Sequence, residues 1–305
     1  MDRFDALQAF ARVVETGSFT KAARALDVSN TTITQLVQQL EARLRVKLLH
    51  RTTRQVRVTD DGTAYYQRVV RLLADLEDAD TSLSNASAAL KGRLRVDVPS
   101  PLARLVLVPA LAGFQTRHPE LQLHLGVSDR MVDIVGDSVD CVLRGGELPD
   151  STLMARRVGR LSMGVYAAPG YLQQTGRPAH PLELAAEPHR IVGYLRWRSA
   201  SVAPLALQRG DERVTLQGRH LLAVDDGNAY LAAGLAGLGA LWLPRYMAQP
   251  HVERGELLTL LEDWHVDEMP LYAAFPANRH VNAKLRCFID WVAEVLARQP
   301  GIMLP

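Results

Sequence analysis

Residues 18–44 read SFTKAARALDVSNTTITQLVQQLEARL and hold two apolar helical patterns separated by almost nothing. Ala22, Ala23 and Leu26 mark a short helix that Ser18 can cap, and Ile33, Leu36, Val37, Leu40 and Leu44 mark a longer one. Only Asp27-Val28-Ser29 remain to reverse the chain, so the turn must be tight. Asp27 tolerates a left-handed backbone, and Ser29 can cap the following helix. Small side chains at 22 and 23 let the two helices approach closely. Upstream, Phe4, Leu7, Phe10, Ala11 and Val14 predict another helix, ended by Gly17. Helix, short helix, tight turn, helix is the helix-turn-helix layout.

The polar face of the last helix is unusual. Asn30, Thr31, Thr34, Gln35 and Gln38 are uncharged and short, where a surface helix ordinarily carries Lys and Glu. β-branched residues at 31–34 cost helix propensity, so local stability does not account for them. Asn and Gln pair with adenine edges, and Thr donates, accepts or touches the thymine methyl. In this layout the helix after the turn enters the DNA major groove. Ser29, Asn30, Thr31, Thr32, Thr34, Gln35 and Gln38 are therefore the expected base-facing set; a merely solvated face is the alternative.

Charge agrees with that reading once it is divided along the chain. Residues 1–58 hold ten Lys or Arg against five Asp or Glu, while residues 92–305 hold 22 of each. Basic charge is thus concentrated where a phosphate backbone would lie. KLLHRTTRQVRVT (47–59) carries Lys47, Arg51, Arg54 and Arg57, and its end alternates like a strand. Such a two-stranded wing can set Arg51, Thr52, Thr53 and Arg54 against phosphates or the minor groove, contacts that hold register but specify little sequence.

FARVVETGSFTKAARALDVS, the helix ending QQLEARL and LLHRTTRQVRVTDDG together resemble the winged helix-turn-helix of LysR-type transcriptional regulators. The sequence departs from that pattern in three places. The family usually has glycine where Arg45 stands, phenylalanine where Leu49 stands, and a different set where Thr31 to Gln35 stand. Arg45 is expected to add a phosphate contact.

A long helix is expected over about 60–90, with Thr59 as its cap and Gly62 tolerated near its start. Tyr65, Val69, Leu72, Leu76, Ala79, Leu83, Ala86 and Leu90 form an a/d heptad series. This predicts a coiled-coil seam between two copies of the chain, with intramolecular packing as the alternative. The resemblance agrees, since the linker helix of LysR-type regulators pairs two subunits. Two recognition helices can then read a two-fold related site.

From Lys91-Gly92 the texture changes to α/β. LRVDV (94–98), LQLHLGV (121–127), VDCVLRG (139–145), GVYAAP (164–169), RIVGYL (190–195), HLLAV (220–224) and PLYAAF (270–275) read as strands. Helices are expected over 102–118, 130–137, 228–238 and 282–298. The alternation implies mostly parallel sheets covered on both faces. A chain of 305 residues accommodates such an arrangement in roughly two domains. D-x-x-x-R-x-G (140–146), APGYL (168–172) and GLGALWLP (237–244) resemble the effector domain of LysR-type regulators, itself similar to periplasmic binding proteins. The expected organisation is a winged helix-turn-helix (1–58), a linker and dimerisation helix (59–91), and a two-lobed effector domain (92–305). Lobe I would span about 92–163 and 269–305, and lobe II about 164–268.

An effector should sit between the lobes, at the carboxyl ends of the strands. The candidates are Ser100, Pro101 and Leu102 at a helix start, Asp129 and Arg130, and Arg144 from lobe I. Tyr194, Arg196, Trp197, Asp225, Asp226 and Gly227 would come from lobe II. Packing or helix capping is the alternative for each. Free amides at the Ser100 turn and the arginines suggest a small anionic effector. The resemblance further implies dimers paired into tetramers, and RNA polymerase as a partner if the protein is an activator.

Enzyme chemistry finds no foothold. There is no H-E-x-x-H pattern and no G-x-S-x-G elbow. Gly234, Gly237 and Gly239 sit late in a helical pattern, where packing rather than a phosphate loop explains them. His118, His180 and His189, beside prolines or turns, are expected on the surface. Cys141 and Cys287 lie outside any metal-ligand spacing and read as reduced thiols. No cofactor and no metal are expected. With no long apolar run and no secretion signal, the expected location is the cytoplasm, which speaks against a secreted solute-binding protein.

Overall fold

The structure is a computed structural model describing residues 3–51, 56–83, 90–130, 134, 139–146, 153–196, 201–276 and 283–304. Among the candidate site residues, Thr52, Thr53, Arg54 and Trp197 lie outside the described residues. So do residues 84–89 of the expected linker helix and most of the helix expected over 130–137. The chain forms two compact units, residues 1–88 and 89–305.

The first unit comprises α1 (Arg3–Thr16), α2 (Phe19–Ala25), α3 (Asn30–Leu44), β1 (Leu49–Arg51), β2 (Val56–Val58) and α4 (Asp60–Leu83). Its tight turn follows from the residues that make it. Asp27 adopts φ +53°. The Ser29 hydroxyl accepts from the Thr32 amide at 3.0 Å, capping α3. Phe10, Val13, Ala22, Ile33, Val37 and Leu40 are fully buried between the three helices. Arg45 ends α3 with φ +55°, a left-handed conformation in which a β-carbon is crowded. That backbone accounts for glycine as the usual occupant of this position.

β1 and β2 form the antiparallel wing, with Leu49 opposite Val58 and His50 opposite Arg57. Thr59 caps α4 by accepting from the Gly62 amide at 2.9 Å, and its hydroxyl donates to the Lys47 carbonyl at 2.8 Å. Gly62 is required rather than tolerated: a β-carbon there would lie 2.1 Å from the Leu48 carbonyl oxygen. The expected seam along α4 is divided. Val69 is buried in the first unit's core, with Tyr65 and Leu73 packed against it. Leu72 and Leu76 remain exposed, at 54% and 42%.

The second unit begins with β3 (Gly92–Val98) and a helical run of α5 (Ser100–Leu102), a π-helical turn (Ala103–Leu107) and α6 (Val108–Arg117). The wide turn ends two positions before Pro109, whose ring would crowd the carbonyl four residues back in a regular α-helix. β4 (Leu121–Val127), β5 (Cys141–Gly145) and β6 (Leu153–Leu161) follow, and the chain then enters a second lobe. That lobe holds β7 (Met163–Ala167), α7 (Pro169–Thr175), β8 (Ile191–Arg196), β9 (Ser201–Val202), β10 (Leu205–Arg209), β11 (Glu212–Leu216) and β12 (His220–Val224). It continues through α8 (Gly227–Leu235), β13 (Leu241–Pro244), α9 (Arg245–Glu253), β14 (Leu258–Leu260) and β15 (His265–Val266). β16 (Met269–Pro276), α10 (Ala283–Leu296) and β17 (Ile302–Met303) return to the first lobe.

The first lobe's sheet runs β17-β6-β16-β5-β3-β4. β3 is parallel to β4 and β5, but β16 is antiparallel to both β5 and β6. The sheet is therefore mixed, not mostly parallel. The reason is topological: β6 leaves the lobe and β16 re-enters it, and the two pair along their length from Leu161–Met269 to Leu153–Pro276. In the second lobe, β13 and β14 flank β7 in antiparallel pairings, while β12 lies parallel to β8.

The glycines at the end of α8 serve packing. A β-carbon at Gly234 would meet Leu241 at 2.5 Å, and one at Gly239 would meet the Ile191 backbone at 2.8 Å. One expectation about the histidines is corrected. His189 is buried, its Nδ1 3.3 Å from the Tyr171 hydroxyl, because the loop carrying it folds over α7. Both cysteines are free, and burial raises the Cys141 thiol pKa. Among the described residues no helix is long and apolar enough to cross a membrane.

Candidate functional site

The first unit presents one continuous neutral face. Asn30, Thr31, Gln35 and Gln38 are exposed along α3, with Thr34 half-buried beside them. Ser29 and Thr32 are positioned differently. Their hydroxyl oxygens lie 2.8 Å apart, so both are engaged in the cap that fixes where α3 begins. The wing contributes Arg51, whose backbone ends β1, and an outward pair, His50 opposite Arg57, both exposed. His50 was missed from sequence; strand alternation, with Leu49 buried, was the signal that could have found it.

Behind this face lies a buried carboxylate that the sequence reading treated only as part of QQLEARL. Glu41 is 3% exposed. It accepts from the Leu48 and Leu49 amides at 2.9 and 3.1 Å and from the Lys47 ammonium at 3.0 Å. Burial alone would raise its pKa, but the Lys47 hydrogen bond and the two amides outweigh it and hold the carboxyl below its ordinary range. Glu41 thereby joins the end of α3 to the first strand of the wing. Lys47 makes this bond from an exposed position, with its side chain open to solvent.

In the second unit a cavity of about 290 Å³ opens between the lobes. Of the candidates named from sequence, Pro101, Leu102, Asp129, Arg144, Tyr194 and Gly227 line it. Ser100 stands at its edge, where its hydroxyl accepts from the Asn228 amide nitrogen at 2.7 Å across the lobes. Asp226 caps α8 through the Ala229 amide at 2.8 Å. Arg130 Nε donates to Asp225 at 3.1 Å, an exposed pair that also bridges the lobes. Arg196 is exposed at the end of β8 and is not among the lining residues. Met163, Tyr230, Trp242, Tyr246, Met247 and Met269 also line the cavity. Sequence reading assigned these to strands, to a helix or to nothing, because no local pattern marks a residue that faces a void between lobes.

The Ser100 amide, expected to be open to an anion, is bonded within the protein. Asp129 Oδ1 accepts from the Ser100 amide at 2.7 Å, and its Oδ2 accepts from the Gly227 amide at 2.5 Å. One carboxylate thus joins the first turns of α5 and α8 across the cleft. Gly227 permits the approach: a β-carbon there would lie 2.5 Å from Pro101. Burial dominates the Asp129 pKa and, with the nearby Asp226 charge, raises it despite the two amides and Arg144. The Arg144 guanidinium is likewise spoken for, paired with the buried Asp97 carboxylate and donating to the Arg130 carbonyl at 2.9 Å. The tyrosines keep their protons, since burial and the neighbouring Asp129 raise the hydroxyl pKa values of Tyr194 and Tyr246. Among the described residues no cluster could hold a metal ion.

Comparison with known proteins accounts for both units. Residues 4–63 match the family described as bacterial regulatory helix-turn-helix protein, lysR family, and residues 87–297 match the LysR substrate binding domain. The chain is 36% identical over 304 residues to an HTH-type transcriptional repressor of Pseudomonas aeruginosa, covering 100% of this chain and 95% of that protein. It is 33% identical over 296 residues to the HTH-type transcriptional activator AaeR of Escherichia coli, covering 95% and 93%. Among solved structures it resembles CrgA, a LysR-type transcriptional regulator from Neisseria meningitidis, with TM-score 0.60 and 31% identity over 95% of this chain and 97% of that one. The full-length Vibrio cholerae virulence activator AphB gives TM-score 0.58 and 28% identity over 96% and 99%.

Proposed function

This chain belongs to the LysR family of DNA-binding transcriptional regulators, and from that premise we propose how its residues divide the work. Residues 1–58 bind DNA, residues 59–91 form the linker that pairs two subunits, and residues 92–305 bind the effector. Asn30, Thr31, Thr34, Gln35 and Gln38 read base edges in the major groove, while Ser29 and Thr32 set the helix start that aims them. Arg51, Thr52, Thr53 and Arg54, with His50 and Arg57 on the outward face of the wing, lie along phosphates. The observation that carries this reading is the exposed neutral face on α3, directly after a capped tight turn.

Subunits pair through the linker, and the pairs assemble into tetramers. A small molecule in the cavity between the lobes shifts which arrangement is favoured, which it can do only by binding one better than the other. That shift changes which half-sites are held and how the DNA is bent. Where the outcome is activation, RNA polymerase is the further partner.

The test is binding to DNA from upstream of the protein's own gene across a salt series. Gln35→Ala should change the ranking of operator variants, with discrimination at one position falling by roughly 1–3 kcal/mol. Arg57→Ala should weaken binding to all sequences alike and lower the salt slope by about one. An unchanged ranking for Gln35→Ala would remove it from the base-reading set. Absence of binding at low salt would overturn the interface as a whole.

A further inference from the structure

We propose that the cavity between the lobes takes an uncharged, flat, largely apolar molecule rather than an anion, because the protein's own Asp129 carboxylate occupies the position an anionic ligand would need. The inference rests on the reading that this cavity holds the effector.

Three observations converge on it. The two helix-start amides that face the cavity from opposite lobes, those of Ser100 and Gly227, are both satisfied by Asp129, at 2.7 and 2.5 Å. A ligand carboxylate could reach them only by displacing a bond already made and placing its charge beside Asp129 and Asp226. Among the described lining residues the cation is Arg144, and it is also taken. It is paired with Asp97, and their side chains are 12% and 8% exposed. No unpaired positive charge therefore faces the space among the described lining residues.

What remains is apolar and aromatic. Tyr230 stands edge-on to Trp242 at 6.3 Å and to Tyr194 at 5.3 Å. Met163, Met247 and Met269 supply thioether sulfurs, which pack favourably against rings. A volume of about 290 Å³ lies at the lower end of ligand pockets, suited to a molecule of one or two fused rings. Tyrosine hydroxyls in the lining can hydrogen-bond one neutral polar group and orient it.

The experiment uses the full chain and three probes of one shape: 2-naphthol, 2-naphthoate and 2-naphthylmethylammonium, at pH 7.5. Binding is followed by isothermal titration calorimetry and by the thermal midpoint. The expected result is that 2-naphthol binds at least tenfold more tightly than either ion and that Met247→Trp, which fills the cavity, abolishes its binding. Asp129→Ala, which frees the two amides, should raise 2-naphthoate affinity at least tenfold; should that variant fold poorly, Asp129→Asn removes the charge with less disturbance and should shift affinity the same way. If an ion matches or exceeds 2-naphthol in the native protein, and Met247→Trp abolishes that binding, the ligand class is wrong while the cavity stands as the site. If binding survives Met247→Trp, the cavity reading itself fails. Absence of binding by all three probes overturns the inference.

Discussion

Arg45 and Glu41 occupy adjacent stretches of one helix end and are constrained by different physics. Arg45 is in a left-handed conformation that glycine adopts freely. Arg45→Gly should therefore stabilise the first unit by about 0.5–1 kcal/mol, the relief of β-carbon crowding less the entropy of a freer unfolded chain. Urea unfolding measures it, and a loss of stability would show that the arginine side chain contributes more than its backbone costs. Glu41 is held ionised by Lys47 and two amides, so its folded pKa lies below the unfolded value of 4.5. A depressed carboxyl contributes stability that is fully present above that value and is lost as pH falls through the folded pKa. Glu41→Gln should cost about 2 kcal/mol at pH 7. It should also flatten the acid limb, so that wild type and variant converge below pH 4.5. Parallel curves down to pH 3 would deny the carboxylate that role.

At the scale of the element, α4 performs two tasks in one helix. Its Val69 belongs to the core of the first unit, whereas Leu72 and Leu76 face outward. Heptad spacing alone assigned all of them to a single seam, because periodicity reports that a side chain is apolar and not which partner covers it. Leu72→Glu with Leu76→Glu should convert dimer to monomer in sedimentation while leaving the first unit folded. Val69→Ala should instead leave the dimer intact and cost about 1–2 kcal/mol of stability, the transfer of two methylene groups. A dimer that survives both glutamates would place the subunit contact elsewhere. β6 teaches the complementary lesson. Its nine residues, LMARRVGRL, alternate poorly and carry three arginines, so sequence gave no strand there. It forms because β16 pairs with it along its whole length.

For the whole molecule, the contacts that matter are those across the cleft of the second unit. Two pairs of residues join the lobes through carboxylates, and they differ in burial. Arg130 and Asp225 are exposed, a type of pair worth about 0–1 kcal/mol. Asp129 is largely withdrawn from water and accepts from backbone on both sides. Asp129→Ala should therefore speed hydrogen exchange of the Gly227 amide at least tenfold, whereas Arg130→Ala should leave it within about twofold. Equal protection of Gly227 in Asp129→Ala and wild type would mean that the lobes are held by other contacts.

The sequence by itself determined the helix-turn-helix, its caps, the strands of the wing and the α/β texture of the second unit, together with part of the cavity lining. These features are written locally: Asp27 and Ser29 act on residues within three or four positions, and apolar spacing declares which face is covered. Only the tertiary structure decided what those faces and loops meet. Gly62 was required by a carbonyl fourteen positions earlier, and His189 was buried by the loop that carries it. Asp129 found its two amides at Ser100 and at Gly227, the latter 98 residues away. The sequence showed arginines and an open helix start and so suggested an anion. Folding brought carboxylates to Arg130, Arg144 and the Ser100 amide, and left Arg196 exposed; charge pairing across such separations leaves no periodic trace along the chain.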